Sequence, residues 1–192
     1  MDDRPLVMVD LDGVLWRFLL GLSVNFRRKS IPATRPQPRK KTFLRRLVDT
    51  IYWWPPLWGP PLRRINYEVA AAIGTNSNGD HRFLAVTNRP LRLYRVTHHL
   101  LGLAGLPDLP VRYNGSGLPS AYFKLEEAQR SRASLFVEDD LAIANFLAQS
   151  GITVFLLDRP YNRGEVEPNV FRTGDRNLAN LLEGTIRLLR PS

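Results

Sequence analysis

Two aspartates stand one residue apart where the first apolar segment of the chain ends. The segment is Leu6–Val9, and Asp10, Leu11, Asp12 and Gly13 follow it directly. An apolar run of this length is typical of a buried β-strand, and the glycine indicates a turn after it. Because alternate strand residues point to the same side, both carboxylates are predicted on one side of the strand end. Buried charge must be paired or metal-bound, so the pattern suits one divalent cation and one phosphate group. The plainer alternative is an acidic turn.

Further apolar runs along the chain predict a parallel sheet. They are rich in Val, Ile, Leu and Phe, and helical patterns separate the later ones. The predicted strands are Leu6–Val9, Phe83–Thr87, Pro110–Tyr113, Ser134–Val137 and Ile152–Leu157. Alternating strands and helices predict an α/β fold with a Rossmann-like, doubly wound sheet of about five strands. Right-handed crossovers would then bring the carboxyl ends of the strands to one edge of the sheet.

Residues 16–80 interrupt this alternation and are predicted to form a cap inserted after the first strand, here called the basic insert. Residues 1–15 and 81–192 would form the core. Between Arg17 and Arg64 lie 12 of the 27 Lys and Arg residues but only one of the 18 acidic residues, so the net charge of +9 originates here. Amphipathic patterns at Lys41–Tyr52 and Leu62–Ile73 predict a mainly helical cap. All four tryptophans lie in or beside this stretch.

Composition narrows the class of protein further. A chain of 192 residues is expected to form one domain with a small insert. With no cysteine, disulfides, thiolate zinc sites and cysteine nucleophiles are excluded, which is compatible with a reducing cytoplasm. No signal-peptide pattern precedes the first strand, and no run approaches the roughly 20 apolar residues of a membrane-spanning helix. We therefore expect a cytoplasmic protein.

Other predicted strands also end in side chains that can bind an anion or a metal ion. These side chains, with one lysine on a predicted helix, are Thr87, Asn88, Arg89, Lys124, Glu138 and Asp139. The hydroxyl, the amide and the backbone N–H groups at the start of a helix after the second strand would form an anion site. The two acidic residues follow the fourth strand, and the lysine could reach the same edge of the sheet.

In this order the residues resemble the four motifs of the haloacid dehalogenase superfamily of aspartate-nucleophile phosphohydrolases. Asp10–Val14 resembles the first motif, Thr87 the second, Lys124 the third and Glu138–Asp139 the fourth. The resemblance covers the predicted core but not the basic insert. Within the superfamily, Leu156–Asn162 resembles the 5′(3′)-deoxyribonucleotidase branch and its bacterial relatives.

The resemblance implies a magnesium-dependent phosphomonoester hydrolase. Asp10 would be the nucleophile that forms an aspartyl phosphate, and Asp12 would be the general acid and base. Mg²⁺ would be held by the Asp10 carboxylate, the Asp12 backbone carbonyl and Asp139, with Glu138 acting through water. A (deoxy)nucleoside monophosphate is the substrate class that the nucleotidase branch implies.

The same resemblance assigns the phosphate-binding residues. Thr87 and Lys124 would hold the phosphoryl oxygens and offset their charge in the transition state, beside Asn88 and Arg89. Arg89 departs from the small or apolar residue more usual in the branch. The sequence allows two roles for Arg89, contact with the substrate or a salt bridge with another residue.

The sequence of the basic insert is compatible with several kinds of substrate or binding partner. Its cations would steer an anionic, phosphorylated small molecule inward, and its tryptophans could stack a nucleobase. Nucleic-acid ends are an alternative, because cations with interleaved aromatic residues bind single strands. A lipid-linked phosphate on an anionic membrane surface is another. A catalytically silent binding protein is the non-enzymatic alternative, and the plainest one is a solvated basic face over a small tryptophan core.

Overall fold

The computed structural model describes residues 4–18, 31–32, 34, 63–77, 79 and 81–189. The predicted helix Lys41–Tyr52 and Trp53, Trp54 and Trp58 lie outside these ranges. The strands of the described ranges are β1 (Leu6–Asp10), β2 (Trp16–Phe18), β3 (Arg63–Ile65), β4 (Arg82–Thr87), β5 (Val111–Tyr113), β6 (Leu135–Glu138), β7 (Thr153–Leu157) and β8 (Val170–Thr173). The α-helices are α1 (Tyr67–Ser77), α2 (Tyr94–Leu103), α3 (Ser120–Ser131), α4 (Leu141–Gln149) and α5 (Leu178–Leu189).

Six of the strands form one sheet with β1 near its centre. Their order is β5-β4-β1-β6-β7-β8, and every neighbouring pair is parallel. The chain winds from β1 to one edge and then returns to β6, so the winding direction reverses between β1 and β6. Ligands of open α/β sheets bind at the carboxyl ends of the strands beside such a reversal. The α/β, Rossmann-like fold predicted from the sequence is confirmed, with β8 added at the edge of the sheet.

Helices cover both faces of the sheet, because alternate residues of β1 belong to two separate hydrophobic clusters. Val7 and Val9 pack in one cluster with residues of α1, α2 and α5. Leu6 and Met8 pack in the other with residues of α3 and α4. Burial on both faces explains why β1, β6 and β7 are continuous apolar runs in the sequence. Among the helices of the described ranges, none is long and apolar enough to cross a membrane.

The two short strands β2 and β3, here called the connecting strands, lie within the range predicted as the basic insert. They pair antiparallel, with Trp16 opposite Ile65 and Phe18 opposite Arg63. The single helix predicted over Leu62–Ile73 is therefore wrong, since its first part is β3. Helix α1 begins afterwards and continues past Gly74 to Ser77. It lies within the range predicted as the insert, and its apolar side chains pack in the core cluster with β1.

An ionic network around Asp175 ties the connecting strands to the core. Arg159 donates to both carboxylate oxygens of Asp175, with Nη2 2.8 Å from Oδ1. Arg17 of β2 also donates to this carboxylate, and Asn66, which follows β3, donates to it at 2.9 Å. A second contact of Arg159 reaches the Gly13 carbonyl oxygen at 3.2 Å. One carboxylate thus joins both connecting strands to the turn after β1.

We expect Asp175→Asn to lower the free energy of unfolding by about 1–3 kcal/mol at pH 7, since it removes charge-assisted hydrogen bonds. Burial raises the pKa of Asp175, but hydrogen bonds from Arg159 and Asn66 outweigh burial, so the net pKa is lowered. The folded protein then binds fewer protons than the unfolded chain just below the ordinary value of about 3.9. The stabilisation is complete above that value and is lost as the pH falls through the lower, folded pKa.

Urea denaturation of both proteins at pH 7 and near pH 3 measures this difference. The difference in the free energy of unfolding between wild type and Asp175→Asn should be smaller near pH 3 than at pH 7. The exposed Asp108 is the matched control, and Asp108→Asn should leave the urea midpoint unchanged at both pH values. An equal gap at both pH values would contradict the assignment to the carboxylate.

Candidate active site

Three acidic side chains meet at the carboxyl ends of the two central strands. Asp10 ends β1, Glu138 ends β6, and Asp139 follows directly. The register that pairs Val9 with Val137 brings these strand ends side by side. Each of the three carboxyl groups offers an oxygen, and these oxygens lie within 4.8 Å of one another. All three residues are buried. The sequence predicted this meeting of Asp10 with Glu138 and Asp139.

Lys124 is the cation inside this acidic cluster. It lies on α3 and is 2 % exposed. Its Nζ lies 2.6 Å from Glu138 Oε2 and 3.0 Å from Asp10 Oδ2. Burial lowers the pKa of Lys124, but the two carboxylates outweigh burial and raise the pKa overall, so the side chain is an ammonium ion. Burial also raises the pKa of Asp10 well above its ordinary value, and Lys124 offsets part of that rise.

Asp139 is held in place by the loop that follows β7. The Tyr161 hydroxyl donates to Asp139 Oδ2, and Asn162 Nδ2 donates to the Asp139 carbonyl oxygen at 2.8 Å. The same Asn162 amide group donates to the Leu157 carbonyl oxygen at 2.8 Å, which anchors it to β7. Burial and the neighbouring Glu138 raise the pKa of Asp139 to about 7, against the opposing effect of the hydrogen bond from Tyr161.

Gly13 lets the turn after β1 pass directly beneath the Asp139 carboxylate. Its φ of +94° lies in the region that favours glycine. A Cβ atom built on Gly13 would lie 2.0 Å from Asp139 Oδ2, closer than any non-bonded contact allows. Glycine is therefore required twice at this position, by the backbone conformation and by the carboxylate above it.

We expect Gly13→Ala to weaken metal binding by about 10- to 100-fold, the usual effect of disturbing the support of a metal ligand. The added methyl group must push the Asp139 carboxylate aside, and alanine adopts this φ only with strain. Calorimetric titration with Mg²⁺ measures the affinity. Gly102→Ala is the control, since a Cβ there has open space. Unchanged Mg²⁺ affinity in Gly13→Ala would contradict the predicted role of Asp139 as a metal ligand.

Asp12 does not join the acidic cluster but contacts two arginines instead. Arg89 Nη2 lies 2.6 Å from Asp12 Oδ1, and Arg89 Nε lies 3.0 Å from Oδ2. Arg63 Nη1 of β3 lies 3.5 Å from Oδ1. Burial raises the pKa of Asp12, but the charge and hydrogen bonds of Arg89, with the charge of Arg63, outweigh burial, so the net pKa is lowered. The predicted metal contact of Asp12 was through its backbone carbonyl and stays a prediction.

The residues after β4 lie in different surroundings. Thr87 is buried beside the end of β1, and its Oγ1 accepts a hydrogen bond from the Arg89 backbone N–H at 3.1 Å. Asn88 is exposed, and its Oδ1 accepts a hydrogen bond from Asn114 at 2.5 Å. Phosphate binding by Thr87, Asn88 and Lys124 stays a prediction. The Arg89 guanidinium is buried in a salt bridge with Asp12, which is one of the two contacts that the sequence left open, and its predicted phosphate contact also stays a prediction.

Sequence reasoning missed several residues that support this site. Tyr161 and Asn162 lie in Leu156–Asn162, the segment that resembles the nucleotidase branch. The resemblance did not indicate that these two residues contact Asp139. Arg63 had no distinguishing signal among the 12 cations between Arg17 and Arg64. Its importance comes from the strand pairing of β2 with β3, which the sequence did not predict.

Comparisons with known proteins identify the fold. No family model matches the chain, and no curated protein matches it. Among solved structures, a protein named as a beta-phosphoglucomutase from Thermotoga maritima is 15% identical, with a TM-score of 0.58; the match covers 94% of this chain and 99% of that one. A haloacid dehalogenase-like family hydrolase from Xanthomonas campestris is 12% identical, with a TM-score of 0.55 and 96% of each chain covered. The chain therefore has the fold of the haloacid dehalogenase-like hydrolases.

A third match is the structure of the Pnkp1/Rnl/Hen1 RNA repair complex. It is 14% identical, with a TM-score of 0.51, and the match covers 82% of this chain and 43% of that one. At these low sequence identities, each comparison shows the fold of this chain and no more.

Proposed function

We propose that the protein is a Mg²⁺-dependent phosphomonoester hydrolase that acts through an aspartyl phosphate on Asp10. The observation that carries the proposal is the buried group at the sheet reversal, in which Asp10 lies beside one lysine and two further acids. Its carboxylate lies within 4.8 Å of oxygens of Glu138 and Asp139, and the Lys124 ammonium contacts both Asp10 and Glu138. A nucleophile, an anion-binding cation and a place for a metal ion thus converge on one carboxylate.

The residues at this site fit a hard divalent cation. Three carboxylates and one ammonium leave an excess of two negative charges when all are ionised. Every candidate ligand is an oxygen, from a carboxylate or from the Asp12 backbone carbonyl, and Mg²⁺ prefers oxygen over nitrogen and sulfur ligands. Burial and the neighbouring acids raise the pKa values of Asp10 and Asp139, and a bound cation would favour their ionised forms. When bound, Mg²⁺ would withdraw negative charge from the phosphoryl oxygens.

In the first step of the proposed reaction, an Asp10 carboxylate oxygen attacks the phosphorus atom. The new bond joins this oxygen to phosphorus, and the bond from phosphorus to the leaving oxygen breaks. Asp12 gives its proton to that leaving oxygen, which departs as an alcohol. The Lys124 ammonium, 3.0 Å from Asp10 Oδ2, stabilises the charge on the phosphoryl group as it passes to Asp10.

In the second step, water hydrolyses the aspartyl phosphate. Asp12 accepts a proton from the attacking water, the bond from phosphorus to Asp10 breaks, and inorganic phosphate leaves. The two arginines beside Asp12 favour its ionised form, so they assist this second step and oppose the protonated form that the first step consumes. The uptake restores the protonated Asp12 that the first step consumes.

For the substrate we propose a (deoxy)nucleoside monophosphate. The resemblance of Leu156–Asn162 to the nucleotidase branch supports this class, and the cations of the basic insert suit an anionic substrate. Phosphorylated nucleic-acid ends are the second candidate. The density of cations and tryptophans in the insert favours it, and the fold similarity to a structure from an RNA repair complex is consistent with it.

A phosphatase screen tests the proposed function. Nucleoside monophosphates, sugar phosphates, oligonucleotides with 3′- or 5′-phosphate ends and lipid phosphates are each assayed with Mg²⁺ and with EDTA. We expect phosphate release that EDTA abolishes, because the buried carboxylates need the cation. Failure to release phosphate from the whole panel would contradict an enzyme and favour a binding protein. A steep loss of binding with salt would favour nucleic-acid ends over mononucleotides.

A further inference from the structure

Arg89 has the surroundings of a fixed structural group rather than of a substrate ligand. Its side chain is fully buried, and two of its nitrogens donate to the two oxygens of Asp12. Its Nη1 donates to Thr97 Oγ1 of α2 at 3.3 Å. The guanidinium carbon lies 4.4 Å from the centre of the Trp16 ring, in a cation–π contact. Contacts on three sides thus orient this side chain toward Asp12.

Two of the groups around Asp12 belong to the connecting strands of the basic insert. Trp16, which packs against Arg89, is the first residue of β2 and is fully buried. Arg63, whose Nη1 is 3.5 Å from Asp12 Oδ1, is the first residue of β3 and is 6 % exposed. Since β2 and β3 pair with each other, the base of the insert and the carboxylate of Asp12 form one packed unit.

A bidentate arginine fixes both the direction and the plane of a carboxylate. Asp12 is two residues from Asp10, so without such a partner its carboxylate could turn toward Lys124 and the acidic cluster. The fork of Arg89 keeps the two aspartates apart and gives each a different cation.

From this arrangement we propose that Arg89, assisted by Arg63, is a positioning residue that orients Asp12 as the general base of the second step. Resting on the proposed function, the inference adds to it the group that directs the carboxylate toward the attacking water. It is an alternative to the predicted phosphate contact of Arg89, and it makes the β2–β3 pair part of the catalytic support.

Steady-state kinetics of Arg89→Met and Arg89→Lys test the role. We expect kcat to fall about 10- to 100-fold in Arg89→Met, a part of the usual contribution of general acid–base catalysis. KM and the inhibition constant of inorganic phosphate should change less than about threefold, because the phosphate-binding groups are untouched. Arg89→Lys keeps the charge but loses the fork, so its kcat should stay well below that of wild type.

The leaving group gives a second readout that a general loss of structure would not produce. An alkyl phosphate and p-nitrophenyl phosphate both give the same aspartyl phosphate, so a slowed second step should give Arg89→Met the same lowered kcat on the two esters. Arg176→Met is the control, since it removes an exposed arginine that pairs with Glu68. Thr97→Val, which removes only one contact of Arg89, should show the same pattern at a smaller size if Arg89→Met folds poorly.

A urea double-mutant cycle tests the contact without any need for turnover. Asp12→Asn, Arg89→Met and the double variant should give non-additive changes in the free energy of unfolding. Additive changes would overturn the inference, as would a raised KM and phosphate inhibition constant with unchanged kcat. A wild-type protein inactive on the whole panel would instead overturn the proposed function, and with it the catalytic part of this inference.

Discussion

Asp10→Asn is expected to abolish phosphate release while the protein remains folded. The amide is a poor nucleophile, so turnover should fall by about 10⁴-fold or more, as for other lost nucleophiles. Stability should be unchanged or higher in the absence of metal, because burial raises the pKa of Asp10 and makes its ionised form costly. Lys124 keeps Glu138 as a partner at 2.6 Å.

Phosphate release and urea denaturation, measured on the same preparations, check this prediction. Asp158→Asn is the matched control, because Asp158 is an exposed aspartate that pairs with Arg172 on the surface. It should retain wild-type activity and stability. A folded Asp10→Asn protein with near-normal activity would rule out the aspartyl phosphate, whatever the substrate.

Lys124→Met is expected to have the largest effect on stability. It leaves Asp10 and Glu138 buried without their cation, and breaking a buried pair in this way usually costs about 3–5 kcal/mol. Asp10, whose pKa burial raises and Lys124 lowers, should then take up a proton more readily, so the variant should be more stable at pH 5 than at pH 8. Phosphate release should be lost, since the transferring group loses its cation.

Urea denaturation at both pH values, with and without Mg²⁺, measures the effect. Mg²⁺ should restore part of the stability of Lys124→Met, because it supplies positive charge to the same carboxylates. Adding Glu138→Gln to Lys124→Met should also restore part of the lost stability. Gln129→Met on the same helix, whose side chain is exposed, is the control and should change stability by less than about 0.5 kcal/mol. A stable, pH-insensitive Lys124→Met protein would contradict the buried ion pair.

The order of apolar strands and acidic strand ends was enough to predict the sheet and the meeting of Asp10 with Glu138 and Asp139. Those features are local in sequence, and parallel topology converts them into neighbours in space. Strand β8 was not predicted because it lies at the edge, where Phe171 is 50% exposed and the apolar run is broken. Edge strands bury less surface, so their pattern carries a weaker signal.

The partner of Arg89 could not be chosen from the sequence. A salt bridge and a phosphate contact both suit an arginine at this position. The choice depends on Trp16 and Thr97, which meet Arg89 only in the folded chain. The register of β2 against β3 likewise depends on residues far apart in sequence, such as the partners Arg17 and Arg64, whose proximity no local pattern indicates.

The excess of carboxylates at the centre of the sheet has a consequence for the stability of the folded protein. A cation that binds only the folded chain stabilises it by mass action, by about 2.7 kcal/mol when its concentration is 100 times its dissociation constant. Between β1 and β6, the proposed Mg²⁺ would therefore act as a folding ligand as well as a reagent. The Mg²⁺ concentration would then set the free energy of unfolding of the protein as well as its rate of turnover.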